Sequence, residues 1–84
     1  MYIQMNILDL HGYNLQDAYD ETMSFLRDMH KGKEKKVKVI TGKGVIAKEF
    51  PFWIEKSSYI KRFEPTNDRG CWYITMADQY RPVM

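Results

Sequence analysis

Two short segments of the sequence place glycine beside side chains that can handle a phosphate or a proton. They are Leu8-Asp9-Leu10-His11-Gly12 and Thr41-Gly42-Lys43-Gly44. An imidazole near a carboxylate can act as a general acid or base near neutral pH, and the two groups can also share a metal ion. A lysine between two glycines suits phosphate, because a permissive backbone lets several N–H groups converge on an anion. Both segments are therefore candidate sites.

Asp9 and His11 are two positions apart, so in an extended chain their side chains leave the same face, and Gly12 lets the backbone turn away directly afterwards. An Asp-x-His triplet is a weak motif on its own. It also fits a polar strand end in which Asp9 accepts backbone N–H groups and His11 has no chemical role. The triplet alone leaves both interpretations open.

The glycine segment is not a Walker loop, because its spacing is too short and no serine or threonine follows Lys43. Nucleotide hydrolysis is therefore not indicated. The remaining alternatives are phosphate binding and a simple tight connection between two elements. Charge does not decide between them, since the net charge is only +2 and the lysines that precede the segment also fit a solvated loop.

The chain has the size and composition of one ordered domain. Its 84 residues allow a single core, and 44% of them are hydrophobic. Cys71 is the only cysteine, which excludes an internal disulfide and a cysteine-based zinc site. No apolar run approaches the roughly 18 residues of a membrane span, and residues 1–4 lack the pattern of a signal peptide. We expect one cytoplasmic domain over residues 1–84, with a core at about 3–76 and a tail at 77–84.

Hydrophobic periodicity predicts the element order βαβαββ. Asn14 is a good N-cap with Asp17 three residues later, and apolar residues then recur with helical spacing until Gly32. Pro51 lacks an N–H and would clash inside a helix, so we expect the second helix to begin near residues 47–49, with Pro51 in its first turn. The expected elements are strands at 3–10, 37–40, 59–63 and 71–76 and helices at 15–31 and about 47–54, with a turn at 66–70.

This order predicts an α/β fold, more closely an α+β two-layer sandwich with a four-stranded mixed sheet and two helices. Right-handed crossovers should make the first three strands parallel, and we expect the last strand to lie antiparallel at one side. Both candidate segments follow a predicted strand and precede a helix. Because ligands collect at the carboxyl ends of parallel strands, we expect the two segments to share that edge.

With the elements around them, the two segments resemble the small MutS-related (Smr) domain family. The family pattern is Leu-Asp-Leu-His-Gly, a helix, a β-branched strand, His or Thr followed by Gly-x-Gly, and a second helix. In that helix the apolar residues fall as they do here at Val45, Ile46, Phe50, Trp53 and Ile54. The resemblance runs from about Ile7 to Ile54, and the closing hairpin fits in order and length.

The resemblance implies a fold akin to the C-terminal domain of a bacterial translation initiation factor. It also implies nucleic-acid binding, with endonucleolytic cleavage or nicking of RNA or DNA. Asp9 and His11 take the catalytic positions of the family, and the two motifs supply the phosphate contacts. Residues expected to bind nucleic acid are Gly12, Thr41, Gly42, Lys43 and Gly44, together with Lys61 and Arg62 on the third strand.

Three positions depart from the family pattern. Thr41 stands where many members have histidine, Gly44 runs directly into Val45 where many insert Thr-Gly, and Pro51 is unusual in its helix. RNA is slightly favoured over DNA because of the family's stand-alone members, and a divalent metal such as Mg²⁺ or Mn²⁺ is a candidate cofactor.

The alternatives are a non-catalytic module that binds nucleic acid or a ribonucleoprotein and, more distantly, a protein–protein adaptor that uses the hairpin edge. Aromatic residues on the last strand could also stack on bases. Because adjacent strand residues face opposite sides, we expect Trp72 in the core with Ile74 and Met76, with Tyr73 on the other face.

Overall fold

The part of the chain that the structure describes contains six regular elements in the predicted order βαβαββ. The computed structural model describes residues 6–68 and 70–78. Residues 3–5 of the predicted first strand and residues 79–84 of the predicted tail lie outside this part. The elements are β1 (Ile7–Asp9), α1 (Leu15–Lys31), β2 (Lys36–Ile40), α2 (Val45–Ile54), β3 (Ile60–Pro65) and β4 (Cys71–Met76).

The four strands form one mixed sheet in the order β1-β2-β4-β3. β1 and β2 are parallel, whereas β4 is antiparallel to both β2 and β3. β3 therefore runs in the same direction as β1 and β2, which confirms the predicted direction of the first three strands. The predicted position of β4 at one side of the sheet is wrong, because β4 lies between β2 and β3.

The composition of β3 and β4 explains why β4 is the inner strand and β3 the edge strand. Trp72, Ile74 and Met76 on β4 are all buried, so this strand needs neighbours on both sides and a covered face. β3 carries Arg62 and Glu64 and ends at Pro65, which cannot donate a ladder hydrogen bond. Charge and proline are features that edge strands tolerate. The predicted α+β two-layer class is confirmed.

One core fills the space between the helices and the inner face of the sheet. The fully buried apolar residues of the helices are Ala18 and Leu26 on α1 and Phe50 and Ile54 on α2, and the buried Thr22 lies between the first two on α1. The prediction that Trp72 belongs to the core is confirmed, with 8% of its surface exposed. The other buried apolar residues are Leu10, Val37, Val39, Ile74 and Met76. Within the described residues, no helix is long and apolar enough to cross a membrane.

The first helix begins and ends where its sequence predicts. The Asn14 side chain accepts a hydrogen bond of 2.8 Å from the backbone N–H of Asp17, which satisfies one of the free donors of the first turn. Gly32 is the C-cap residue, and its N–H donates to the carbonyl of Asp28 at 2.9 Å. Local capping therefore fixes both boundaries of α1.

The second helix begins earlier than predicted, at Val45, and Pro51 lies in its interior rather than in its first turn. Proline leaves the carbonyl four residues earlier, that of Ala47, without its helical donor. Phe50 and Ile54, on either side of Pro51, have no exposed surface. Their burial in the core stabilises the helical backbone on both sides of Pro51. The helix therefore tolerates the proline in its interior and can begin directly after Gly44.

Candidate functional site

The two motifs meet at one edge of the sheet. Asp9, the last residue of β1, pairs with Ile40, the last residue of β2. The N–H of Leu10 extends this pairing by donating to the carbonyl of Ile40 at 2.8 Å. Neighbouring strands lie about 4.8 Å apart, so the segments that begin at His11 and Thr41 leave the sheet side by side. We call these two segments, residues 9–12 and 41–44, the strand-end site.

The first motif forms a tight turn held by the Asp9 carboxylate. Tyr13 donates its N–H to the carbonyl of Leu10 at 3.0 Å, and Gly12 has a φ of 89°, as a type II turn requires at its third position. Asp9 Oδ1 accepts the backbone N–H of His11 at 2.9 Å. The carboxylate therefore orients the turn, which leaves His11 exposed to solvent. Within the described part of the chain, no hydrogen bond reaches the His11 ring.

The second motif, which we call the glycine loop (residues 41–44), is fixed from behind by the β3–β4 hairpin. The carbonyl of Gly70 accepts the N–H groups of Thr41 at 2.9 Å and of Gly42 at 3.0 Å. The buried hydroxyl of Thr41 donates to the carbonyl of Gly42 at 2.9 Å and accepts the indole N–H of Trp72 at 3.2 Å. Gly42 has a φ of 76°, a conformation that favours glycine.

Thr41 and Gly42, two of the residues expected to bind nucleic acid, make these hydrogen bonds within the protein. The hydroxyl of Thr41 and the amide of Gly42 point at partners inside the domain. The two residues shape the glycine loop, and the donors open to solvent lie further along it. Sequence spacing could not reveal this, because the acceptor, Gly70, is 28 residues beyond Gly42.

The free donors lie at the start of α2. Gly44 is the N-cap, none of the described side chains caps the helix, and its first turn contains no acidic residue. The first N–H bonded to a carbonyl of this segment is that of Lys48, which donates to Gly44 at 3.3 Å. The amides of the first turn, beginning with Val45, therefore have no acceptor within the helix. Lys43 is exposed beside them and adds a full positive charge to the positive end of the helix dipole.

The turn of the β3–β4 hairpin also belongs to this region, although the sequence of residues 66–70 indicates only a connection there. Asp68 Oδ1 accepts the N–H of Gly70 at 2.9 Å and the hydroxyl of Thr66 at 2.7 Å. These two hydrogen bonds, followed by the positive charge of Lys43, lower the pKa of the Asp68 carboxyl. Asp68 thus fixes the position of Gly70, whose carbonyl accepts the N–H groups of Thr41 and Gly42.

A cavity of about 440 Å³ opens beside the hairpin turn and the first turns of α2. Its lining combines apolar walls with two cations and one carboxylate. The lining residues are Lys43, Ala47, Lys48, Pro65, Asp68 and Trp72. The sequence predicts a turn at 66–70, but only the tertiary structure brings this turn against Lys43.

Lys61 and Arg62 do not lie at the strand-end site. Arg62 pairs with Thr75, which in turn pairs with Lys36 at the start of β2. Ile40 is four positions beyond Lys36 along β2, so Arg62 is about 13 Å from the strand-end edge, measured along the strands. Lys61 falls in an irregularity of β3 between Ile60 and Arg62.

The candidate metal ligands are also few. Among residues 6–68 and 70–78, no group of three or more histidine, cysteine, aspartate or glutamate side chains could hold a metal ion. Asp9 and His11 would supply at most two ligands. Mg²⁺ commonly keeps several waters and takes other ligands from substrate phosphates, so two protein ligands are compatible with such an ion.

The fold and this edge define the class of the protein: a two-layer α+β domain with paired motifs at the ends of two parallel strands. The sequence profile of the Smr domain matches residues 8–75, and the chain therefore belongs to the Smr domain family. No curated protein sequence matches it.

Two solved structures are similar to the chain. The Smr domain of Thermus thermophilus MutS2 gives a TM-score of 0.80 at 14% identity, over 87% of this chain and 99% of that one. YdaL, a stand-alone small MutS-related protein from Escherichia coli, gives a TM-score of 0.80 at 16% identity, over 90% of this chain and 67% of that one. At these identities the similarity establishes the fold alone.

Proposed function

We propose that this domain binds the phosphate backbone of nucleic acid at the strand-end site and cleaves it there as an endonuclease or nickase. The observation that carries the proposal is the pairing of Asp9 with Ile40, which sets the His11 turn beside the glycine loop. Lys43 and the free amides at the start of α2 form the anion-binding part. Membership of the Smr family supports nucleic acid as the general class of partner.

His11 is the residue proposed to move the proton. With RNA, its neutral imidazole would accept the proton of a 2′-hydroxyl, whose oxygen attacks the adjacent phosphorus while the bond to the 5′-oxygen breaks. The leaving 5′-oxygen would take a proton from solvent water, which leaves a 2′,3′-cyclic phosphate and a 5′-hydroxyl, and His11 would return its proton to solvent. With DNA, a water molecule would replace the 2′-hydroxyl as the nucleophile. Lys43 and the first-turn amides of α2 would stabilise the charge that develops on the phosphate oxygens. Asp9 acts as a positioning residue, because its carboxylate holds the backbone of His11.

RNA is the substrate we favour, and the cytoplasm is the compartment we expect. A second candidate function is a module that binds nucleic acid or a ribonucleoprotein without cleaving it. One observation favours it: the Asp9 carboxylate bonds to the backbone of His11, so the ring has no carboxylate to fix its tautomer. Both functions use the same phosphate site and differ only in the role of His11.

Cleavage and binding assays separate the two functions. Purified protein is incubated with labelled single-stranded RNA and with supercoiled, nicked and linear DNA, with and without EDTA. We expect His11→Ala to lower the cleavage rate by about 100-fold or more, the usual contribution of an acid–base group, while binding is retained. Lys43→Ala should weaken binding and reduce its dependence on salt.

Lys56→Ala is the matched control for charge, because Lys56 is exposed just beyond the opposite end of α2. Cleavage by the wild type that persists unchanged in His11→Ala would disprove the catalytic role. Binding without cleavage would favour the module. Equal binding by the Lys43 and Lys56 variants would contradict the phosphate site, and the EDTA arm tests the need for Mg²⁺ or Mn²⁺.

A further inference from the structure

The outer face of the sheet carries an exposed aromatic ring among cations. Along β2 and β4 the residues alternate between buried and accessible, so one face packs on the helices and the other is uncovered by either helix. We call the uncovered side the open face. On β2, β4 and β3 it presents Lys36, Lys38, Tyr73, Thr75, Arg62 and Glu64. The fourth strand, β1, adds Ile7 and Asp9 to the same face.

Tyr73 lies in the middle of the open face. It pairs with Lys38 on one side and with Glu64 on the other, and 51% of its surface is exposed. The ammonium group of Lys38 lies 5.7 Å from the centre of its ring. Tyr73 also lines two shallow cavities on this face, of about 350 and 520 Å³. The ring therefore has open space around it.

The side chains of the open face suit a nucleic acid with unpaired bases. The row Lys36, Thr75 and Arg62 runs beside the row that contains Tyr73, at a separation of about 7 Å. The open face carries three cations, Lys36, Lys38 and Arg62, and two carboxylates, that of Glu64 and, at the strand-end edge, that of Asp9. A flat aromatic ring flanked by cations matches a single strand, since an unpaired base can stack on the ring while the phosphates meet the cations. A duplex keeps its bases stacked inside and cannot use the ring in this way.

The open face also leads to the strand-end site. Lys38, the partner of Tyr73, is two residues before Ile40, and Ile40 pairs with Asp9. Two residues along a strand span about 7 Å. A nucleic-acid strand that crosses the ring of Tyr73 would thus reach the edge at which His11 and the glycine loop lie.

We propose that the open face binds single-stranded nucleic acid, with an unpaired base stacked on Tyr73 and flanking phosphates held by Lys36, Lys38 and Arg62. This inference rests on the proposed function and narrows its substrate to nucleic acid that is single-stranded beside the cleavage site. It also gives Arg62 a binding role away from the strand-end site.

Fluorescence anisotropy with a labelled 12-nucleotide RNA, free or annealed to its complement, tests the proposal. Tyr73→Ala should weaken binding of the single strand about tenfold, because stacking on one aromatic side chain contributes about 1–3 kcal/mol. Tyr73→Phe should keep binding within about twofold of the wild type, since the ring is retained. Binding of the duplex should change little in either variant.

Phe52→Ala is the matched control, because Phe52 is an aromatic residue with 67% exposure that lies on α2, away from the open face. A double variant, Lys36→Ala with Arg62→Ala, should lower both the affinity for the single strand and its salt dependence. Circular dichroism of each variant confirms that the fold is retained.

The outcomes distinguish this inference from the proposed function. If Tyr73→Ala and Phe52→Ala bind the single strand equally well while Lys43→Ala binds it poorly, the open face is not the platform and the strand-end site stands alone. Equal loss of duplex and single-strand binding in Tyr73→Ala would also overturn the inference. Failure of the wild type to bind either RNA would overturn both proposals.

Discussion

The indole N–H of Trp72 donates a hydrogen bond of 3.2 Å to the hydroxyl of Thr41, and both side chains are buried. This contact joins the core of the sheet to the first residue of the glycine loop. Replacing Thr41 by valine keeps the shape of the side chain but leaves the indole N–H without its acceptor. We expect the free energy of unfolding to fall by about 1–3 kcal/mol in urea denaturation.

Thr41→Ser is the matched control for this prediction. Serine keeps the hydroxyl and removes one methyl group, so its cost should stay near 1 kcal/mol. Equal stability of the valine variant and the wild type would show that the Trp72 contact contributes nothing.

Gly42 and Gly44 offer a paired test of the glycine loop. A Cβ added at either position meets no atom within 4 Å, but Gly42 has a φ of 76° whereas Gly44 has a φ of −96°. Gly42→Ala should therefore lower stability by about 1–2 kcal/mol through backbone strain. Gly44→Ala should cost less, up to about 1 kcal/mol, because Gly44 is the N-cap of α2 and alanine is a poor N-cap residue. Thermal unfolding measures both, and equal effects would contradict the importance of the left-handed residue.

The carboxylate of Asp9 is expected to act by position rather than by charge. Asp9→Asn retains an oxygen that can accept the N–H of His11, whereas Asp9→Ala does not. A misplacement of about 1 Å in a reacting group can cost about 100-fold in rate. We therefore expect the alanine variant to lose cleavage by about that factor and the asparagine variant to recover most of it. Equal loss in both variants would show that the negative charge itself is required.

Acid should weaken the hairpin turn that supports the glycine loop. Hydrogen bonds from Gly70 and Thr66, and then the charge of Lys43, lower the pKa of Asp68 in the folded protein. The resulting stabilisation is fully present above the unfolded pKa, near pH 4, and is lost as pH falls through the folded pKa. Asp68→Asn should thus destabilise the protein at pH 7, with a difference that shrinks in stronger acid.

Denaturation of the wild type and Asp68→Asn between pH 7 and pH 2.5 checks this expectation. Glu49→Gln removes one carboxylate from the exposed side of α2 and controls for the change in net charge. A difference for Asp68→Asn that stays constant over the whole pH range would refute the assignment.

Features that depend on neighbours in the chain followed from the sequence. The cap at Asn14, the stop at Gly32 and the alternation of β4 each arise from interactions within a few residues, and the structure contains all three. The shared edge of the two motifs also followed, because each motif ends a strand and the βαβ connection makes those strands parallel.

Features that depend on distant contacts were decided by the tertiary structure. β4 lies inside the sheet because its buried residues, Trp72, Ile74 and Met76, belong in the centre of the core, and β3 with its charges and proline is the edge strand. α2 continues through Pro51 because Phe50 and Ile54 are buried around it. The amide of Gly42 faces Gly70 rather than a ligand for a similar reason: a residue far along the chain supplies the acceptor.

The sequence by itself thus determined the elements, the fold class and the two motifs, since local propensity and periodicity encode them. Only the tertiary structure decided which donors of the strand-end site are free, and that Arg62 and Tyr73 share the open face. Hydrogen-bond partners and strand neighbours are chosen by packing across the whole domain, and no short segment carries that information.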